Sequence, residues 1–462
     1  MRKPLLSLVA VLLLSLILGA CGGDEEGTPS VETPGTRPTG PVTIDLWHSE
    51  VGSNVETLDR LVDQFNASQD EVTVRASFQG TYDEAAAKLI ASLGTEQVPA
   101  VVLPNESQTQ RMIDSGAVAP IQKFIDEEDY DLSDIDEKAI QYYTVKDKLW
   151  AMPFAGEMAL LYYNKVTFRE VGLDPEKPPK DLEELRQYSE KLLNRDASGN
   201  VVRSGIALDI HGWLATMIAD HGDLWVDQNN GHDGRATKVL FDNDTGRWFF
   251  QWWHDMVDSG LAFNVGRNPN YVDNFLAIAS GRAAMALSYA GALRSVVDAL
   301  EAGEPGAEGV EFGVGQVPGV PGGKGYNTFS IYAMWIMNQR PEQEQQAAWK
   351  FLKWLAEPEQ QAEWFAGTGY LPVSLSAADL PAAQDLVAQY PLFQVVFDLY
   401  RNTPVTPATA GAILGPGDQV AEFTYTAEEE MLVGGKDPDQ ALKDAAAKAN
   451  ETIEEYNRRV ED

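Results

Sequence analysis

The chain has 462 residues, of which 44% are hydrophobic and 10% aromatic, so it is long enough to bury a large core and to form two or three domains. Its formal net charge is −35 at pH 7, and a field of this sign repels the phosphate backbone of nucleic acids. Cys21 is the single cysteine, which excludes an intramolecular disulfide and a metal site built on several thiolates.

The N-terminal segment has the pattern of a secretion signal. Arg2 and Lys3 precede an apolar run over residues 5–20, which is shorter than the ~20 residues that span a bilayer. The junction before Cys21 resembles a bacterial lipobox, which implies a lipoprotein signal peptide at residues 1–20 and a lipidated Cys21. The alternative is an ordinary signal peptide with a cysteine there by chance. Residues 21–41, rich in Gly, Pro and Thr, predict a disordered tether.

The next segment alternates between strand and helix patterns. Apolar residues at alternate positions, and one continuous apolar run, predict strands at residues 42–46, 72–78 and 100–103. Helical spacing predicts helices between them, at residues 55–65 and 89–93. This order is typical of a parallel sheet with helices on its faces, so we expect an α/β fold. Ligands of such sheets bind at the loops that follow the strands, here residues 47–52, 80–82 and 104–107.

From about residue 159 the sequence predicts mainly helices. An aromatic segment over residues 248–257 is interpreted as a helix packed into a core rather than as a ligand platform. Further helices are predicted at residues 347–355, 358–365 and 437–456.

Motifs for metal or phosphate chemistry are incomplete. The five histidines lack the spacing of a zinc protease, and the Gly-rich stretch 318–327 lacks the first glycine and the Ser/Thr of a phosphate loop. Residues 194–199 resemble the start of a calcium loop, but Gly205 stands where a bidentate glutamate is needed, so a hairpin turn is predicted. We therefore expect no metal, no cofactor and no catalytic residue.

Residues 153–185 (PFAGEMALLYYNKVTFREVGLDPEKPPKDLEEL) are the most specific stretch of the chain. They resemble the hinge and entry strand of the extracellular solute-binding proteins that serve carbohydrate ABC importers. The resemblance continues through residues 275–291, 358–373 and 434–445. It implies the two-lobed, type II periplasmic-binding-protein-like fold, in which two α/β lobes close on a ligand by hinge motion.

Within this family the chain is most similar to glycerol-3-phosphate-binding proteins, and the match carries ligand contacts to Tyr82, Glu106 and Tyr370. Glu157 stands where those proteins have a serine, and its Ala-Gly-Glu motif resembles maltose-binding proteins, where the glutamate binds sugar hydroxyls. The phosphate-binding arginine expected near residue 413 is missing. A phosphate would lack its bidentate partner and be repelled by Glu157, so a neutral polyol fits better.

Other candidates rest on weaker patterns. Trp47 lies on a strand-end loop and is as readily a core residue as a ligand contact, and Tyr289 replaces a small residue in a contact loop of the family. Both stay candidates. Trp213 has only its loop context and is interpreted as core.

The resemblance implies a substrate-binding protein that captures a sugar or related polyol and delivers it to ABC permease subunits. It would work as a monomer on the outer face of the cytoplasmic membrane, held by its N-terminal lipid. The expected lobes are residues 42–155 with 289–338 and residues 156–288 with 339–462. Alternatives are a glycerol-3-phosphate or glycerophosphodiester receptor, a secreted glycosidase using Glu106 and Glu157 as paired carboxylates, and an adhesin or assembly scaffold.

Overall fold

The structure, a computed structural model, describes residues 41–268, 273–303 and 309–461, without the side chains of Asp83 and Glu461. The predicted signal peptide, the lipidation site Cys21 and nearly all of the tether lie outside the described residues. Within the described ranges, no helix is long and apolar enough to cross a membrane.

The strands, in chain order, are β1 Val42–His48, β2 Val72–Phe78, β3 Val101–Val102, β4 Val118–Ala119, β5 Thr144–Val145, β6 Lys148–Leu149, β7 Met152–Asn164, β8 Asn194–Arg195, β9 Val201–Ile210, β10 Ala262–Arg267, β11 Ala283–Tyr289, β12 Phe312–Gln316, β13 Phe329–Met337 and β14 Leu371–Pro372. The predicted strands of the first segment are confirmed, and β1 pairs parallel with both β2 and β3. Residues 194–195 pair antiparallel with β9, which confirms the predicted hairpin.

The helices are α1 Ser53–Ser68, α2 Tyr82–Ser92, α3 Thr109–Asp114, α4 Ile121–Glu128, α5 Glu137–Tyr143, α6 Lys165–Glu170, α7 Leu182–Leu192, α8 Trp213–His221, the short α9 Asp227–Asn230, α10 Asp244–Asp258, α11 Asp273–Ala279, α12 Ala292–Ala302, α13 Glu342–Leu355, α14 Pro358–Thr368, α15 Pro381–Gln389, α16 Leu392–Asn402, α17 Gly417–Leu432 and α18 Pro438–Glu461, with 3-10 turns at Glu106–Gln108 and Ser376–Asp379. The aromatic segment is α10, which buries Phe249, Trp252 and Trp253, as interpreted.

The chain after residue 159 is mainly helical, as predicted, but the strands β8 to β14 also lie there, and the sequence pattern did not reveal most of them. The apolar parts of β9 and β11 are buried at nearly every position. A strand covered on both faces loses the alternation of period two, so its pattern resembles that of a buried helix.

The long strand β7 joins the two halves of the sheet. All 13 of its residues are buried. Its first half pairs with β13 and β14, and its second half pairs with β11 and β12. Because β13 also pairs with β3, the strands of both halves belong to one continuous sheet.

The apolar side chains form two core clusters. The first surrounds β1, β2 and β3, and the second surrounds β9, α8 and α10 and includes α18. The lobe boundaries stay a prediction, and the packing favours one change to them. Phe351 and Trp354 of α13 lie 5.0 and 5.4 Å from the ring of Phe65 in α1, so residues 342–402 pack with the N-terminal lobe rather than with the C-terminal lobe.

Polar contacts connect the two clusters at α3. The buried carboxylate of Asp114, 4% exposed, pairs with Arg235 and accepts a hydrogen bond of 2.9 Å from the Tyr456 hydroxyl. Nearby, Asp418 of α17 accepts hydrogen bonds from Ser107 and Gln108. Both carboxylates thus bind donors that belong to the opposite cluster.

We expect Asp114→Ala to lower the free energy of unfolding by about 1 to 3 kcal/mol, because Arg235 and the Tyr456 hydroxyl lose their shared acceptor. Urea denaturation measures the change. The control is Asp398→Ala, since Asp398 is exposed and accepts only from Gln394 in its own helix. Equal stabilities of the two variants would contradict a stabilising role for this contact.

Candidate functional site

Glu157 lies at the centre of β7, where the strand passes from one half of the sheet to the other. Its side chain is only 6% exposed. The carboxylate accepts a hydrogen bond of 3.0 Å from the Gly291 backbone N–H and one of 3.3 Å from the Tyr332 hydroxyl. Three separate segments therefore meet at this one side chain.

The pKa of Glu157 is raised to about 8, mainly by burial and to a smaller extent by the nearby carboxyls of Glu106 and Glu50, against the lowering effect of the hydrogen bonds from Gly291 and Tyr332. At neutral pH a large fraction of Glu157 is protonated in the unliganded protein. The group can then donate one hydrogen bond as well as accept others.

Glu106 begins the 3-10 turn that follows β3, and the Asn105 side chain caps this turn by accepting from the Ser107 N–H. Burial raises the pKa of Glu106, and Asp418 adds to the rise, whereas a hydrogen bond with Ser330 lowers it. The Glu106 Oε2 atom is buried and has no hydrogen-bond partner among the described residues. Such an atom is available to a water molecule or to a donor group of a ligand.

Glu50 is a third buried carboxyl of this site, and the sequence analysis missed it. It follows β1 within the predicted loop 47–52 and is 8% exposed. Asn54 donates to its Oε2 atom at 2.8 Å, while burial raises its pKa. The signal available in the sequence was an acid directly after a strand, four residues before an amide.

Tyr370 packs beside Glu157. Its ring lies 5.6 Å from that of Tyr332, at an interplanar angle of 73°. A Cβ atom on Gly291 would lie 2.5 Å from the Tyr370 ring and 2.7 Å from the Glu157 carboxylate. Glycine is needed at residue 291 because no larger residue fits between these side chains. Tyr332, like Glu50, was not selected from the sequence.

Tyr82 is the first residue of α2, and a capping box between Thr81 and Glu84 fixes this end of the helix. Its phenol raises the pKa of both Tyr332 and Tyr370, after the larger effect of burial, which places it at the same site. Trp47 is partly buried and lines, with Tyr82, an apolar pocket beneath α2. The structure thus brings together Tyr82, Glu106, Glu157 and Tyr370, with Trp47 at the edge.

Tyr289 lies in a different aromatic group. Its ring stacks on Trp213 at 5.5 Å and contacts His211 edge-on at 5.3 Å. It is paired with Ala159, two residues from Glu157, so Tyr289 and Glu157 project from the same face of the sheet. Trp213 is 1% exposed and belongs to the second cluster, as interpreted from the sequence.

The charge of the site is negative. Within the described part of the chain, the groups that shift the pKa values of Glu50, Glu106 and Glu157 are other acids, hydroxyls, an amide and backbone N–H groups, and no lysine or arginine is among them. Where a phosphate-binding arginine was expected, Ile413 is buried in the core. The described residues also contain no cluster of side chains able to hold a metal ion.

The known proteins that are similar to this chain include receptors for glycerol phosphates and receptors for sugars. The sn-glycerol-3-phosphate-binding periplasmic protein UgpB of Shigella flexneri serotype 5b is 29% identical over 425 residues, which cover 90% of this chain and 93% of the relative. UgpB of Escherichia coli K12 has the same identity and coverage.

Two solved structures share the fold. UgpB from Mycobacterium tuberculosis in complex with glycerophosphocholine has a TM-score of 0.74 and 21% identity, and the match covers 92% of this chain and all of that one. The cyclic alpha-maltosyl-1,6-maltose binding protein from Arthrobacter globiformis has a TM-score of 0.71 and 24% identity, covering 90% and 99%. These matches confirm the expected type II binding-protein fold.

The sequence pattern of one family matches most of the chain. It covers residues 60–394, which include β7, β13 and every carboxyl of the site except Glu50. This extent, together with the shared fold, identifies the chain as a member of the bacterial extracellular solute-binding protein family.

Proposed function

We propose that this protein is the substrate-binding component of an ABC importer and captures a sugar or related polyol at the site around Glu157. The observation that carries the proposal is the meeting of Glu157, Glu106 and Tyr370 at the strand that joins both halves of the sheet. Carboxyls bind hydroxyl groups, and tyrosine rings cover the apolar face of a pyranose. Permease subunits are the partner of such a receptor.

The ligands of the relatives support a sugar or polyol as the ligand but do not identify which compound binds. Relatives named above bind glycerol 3-phosphate, glycerophosphocholine or a cyclic maltose-based sugar. Binding of a glycerophosphodiester or of glycerol 3-phosphate is the second candidate, favoured by the 29% identity to UgpB. It is weakened by the absence of a basic group near the three described carboxyls.

Catalysis is a further alternative, because Glu106 and Glu157 are neighbouring carboxyls of the kind that glycosidases use. We propose that the protein performs no reaction, as expected of a binding protein. An assay for release of reducing sugar from oligosaccharides distinguishes the two, and turnover that Glu157→Gln abolishes would establish the enzyme.

The proposed location is the outer face of the cytoplasmic membrane, with Cys21 lipidated. We expect Cys21→Ser to move the protein from the membrane fraction to the soluble fraction, because two or more acyl chains are what make attachment stable. Cell fractionation with mass spectrometry of the N-terminus measures this. Retention in the membrane with the wild-type mass shift would contradict lipidation at Cys21.

Glu157→Gln tests the ligand class. At pH 9, where Glu157 is ionised, we expect affinity for a neutral sugar to fall about tenfold to a hundredfold, because charge-assisted hydrogen bonds become neutral ones. Affinity for glycerol 3-phosphate should rise, since a like charge is removed. Calorimetry with both ligands measures the changes.

Glu71→Gln is the matched control, because Glu71 is exposed and pairs with Lys350 on the surface. It should bind like the wild type. A wild-type protein that prefers glycerol 3-phosphate, with no effect of the Glu157 change, would favour the second candidate instead.

The raised pKa of Glu157 also predicts a pH dependence of stability. Between the ordinary glutamate pKa of 4.5 and about 8 the folded state holds a proton that the unfolded state has lost, so stability falls as pH rises through this window. Relative to Glu157→Gln, the wild type should lose about 2 to 4 kcal/mol between pH 5 and pH 9. Urea denaturation at both pH values measures the difference, and parallel pH profiles would show that Glu157 is not desolvated in the folded protein.

A further inference from the structure

We propose that the ligand is a polyol or sugar that carries a positively charged nitrogen, and that this group binds among Glu50, Glu106 and Glu157. The inference rests on the proposed function and narrows it to one chemical class. It depends on the number of carboxyls, their burial and the groups around them.

The three carboxyls come from three different parts of the fold. Glu50 follows β1, Glu106 begins the turn after β3, and Glu157 is in β7. Glu106 and Glu50 both raise the pKa of Glu157, so each carboxyl interacts electrostatically with at least one other member of the group. These two loop acids and one strand acid form a single acidic site, in which Glu50 and Glu157 are buried and Glu106 is partly exposed with a buried Oε2 atom.

One carboxyl oxygen of this site points to a missing partner. Glu157 has donors at both oxygens, and Glu50 has Asn54 at its Oε2 atom. The Glu106 Oε2 atom is buried and has no donor within the described residues. A buried carboxylate oxygen without a donor destabilises the free protein, so a ligand that donates to this oxygen removes that penalty on binding.

The hydroxyls of a neutral sugar could donate hydrogen bonds to the carboxyls but would not neutralise a negative charge on them. An ammonium or alkylammonium group does both, because it donates N–H bonds and supplies the opposite charge. No lysine or arginine of the described chain acts on these three carboxyls, so nothing in the protein takes that position.

The aromatic rings around the carboxyls suit a cation as well. Tyr332 and Tyr370 lie edge to face beside Glu157, and Tyr82 of α2 raises the pKa of both, after the larger effect of burial. The negative face of a phenol ring attracts a cation within about 6 Å of its centre. Carboxyls together with aromatic rings are a suitable combination for binding a cationic nitrogen.

Proton release gives a second observable. In the free protein the raised pKa of Glu157 keeps part of this carboxyl protonated at pH 7, and the titratable groups that interact with it are Glu50, Glu106, Tyr162, Tyr332 and Tyr370. A cation favours the ionised form. Its binding at pH 7 should therefore displace a proton from the Glu157 carboxyl to the buffer, and a neutral ligand should displace none.

The test is calorimetry with two matched pairs of probes, N-methyl-D-glucamine against sorbitol and glucosamine against glucose. We expect the ammonium member of at least one pair to bind at least about tenfold more tightly than its neutral partner. Measurement in two buffers of different ionisation enthalpy should show proton release for the ammonium ligand alone.

Glu106→Gln is the informative variant, since it removes the negative charge of this carboxyl and keeps its shape. It should reduce the preference for the ammonium probe by about tenfold, whereas the surface variant Glu71→Gln should keep that preference. Thermal unfolding of each variant verifies that it is folded.

The two proposals fail in different ways. If sorbitol or glucose binds as tightly as its ammonium partner, the cation inference is wrong and the sugar receptor stands. If none of the four probes binds but glycerol 3-phosphate does, the sugar receptor is wrong, and the cation inference is wrong with it.

Discussion

Burial of an acid in the strand that both halves of the protein share is the constraint on which this structure depends. β7 is buried at all 13 positions, and Glu157 is the acid among them. A carboxylate taken out of water destabilises the folded state unless hydrogen bonds or an opposite charge compensate. Here the compensation comes from the Gly291 N–H and the Tyr332 hydroxyl. One donor lies on β13, which pairs with the first half of β7, and the other follows β11, which pairs with the second half, so residues from both halves of the sheet meet at the site.

The second carboxyl connects the site to the contacts between the core clusters. Glu106 is followed directly by Ser107 and Gln108, which donate to Asp418 of α17. Asp418 also lies 3.5 Å from Arg111 and raises the pKa of Glu106. A ligand that neutralises Glu106 therefore changes the charge balance beside a contact that holds the clusters together. Hinge closure needs contacts that differ between open and closed states, and this group of residues is where such a difference can arise.

The sequence predicted the architecture better than the site. Alternating and helical spacing was sufficient for β1, β2, α1 and α10, because each has one face in the core. It failed for β9 and β11, which are covered on both faces. Four of the six candidate ligand residues meet in the structure, yet Glu50 and Tyr332 were missed. Their roles depend on contacts with residues more than 100 positions away, and no local pattern records those contacts.

The destabilising charge of this site is best understood as a property of the unliganded state. Natural proteins keep strained or poorly compensated groups where function needs them, and stability elsewhere offsets the penalty. Here the large apolar clusters supply that stability. Among the described residues, the buried carboxyl oxygens without a donor are Glu106 Oε2 in the site and both oxygens of Glu428 in α17. A ligand with the right donors and charge then stabilises the bound form by removing a penalty that the free form carries. Selectivity against phosphate esters has the same physical origin. A phosphate would add negative charge beside three carboxyls that no lysine or arginine of the described chain is found to act on.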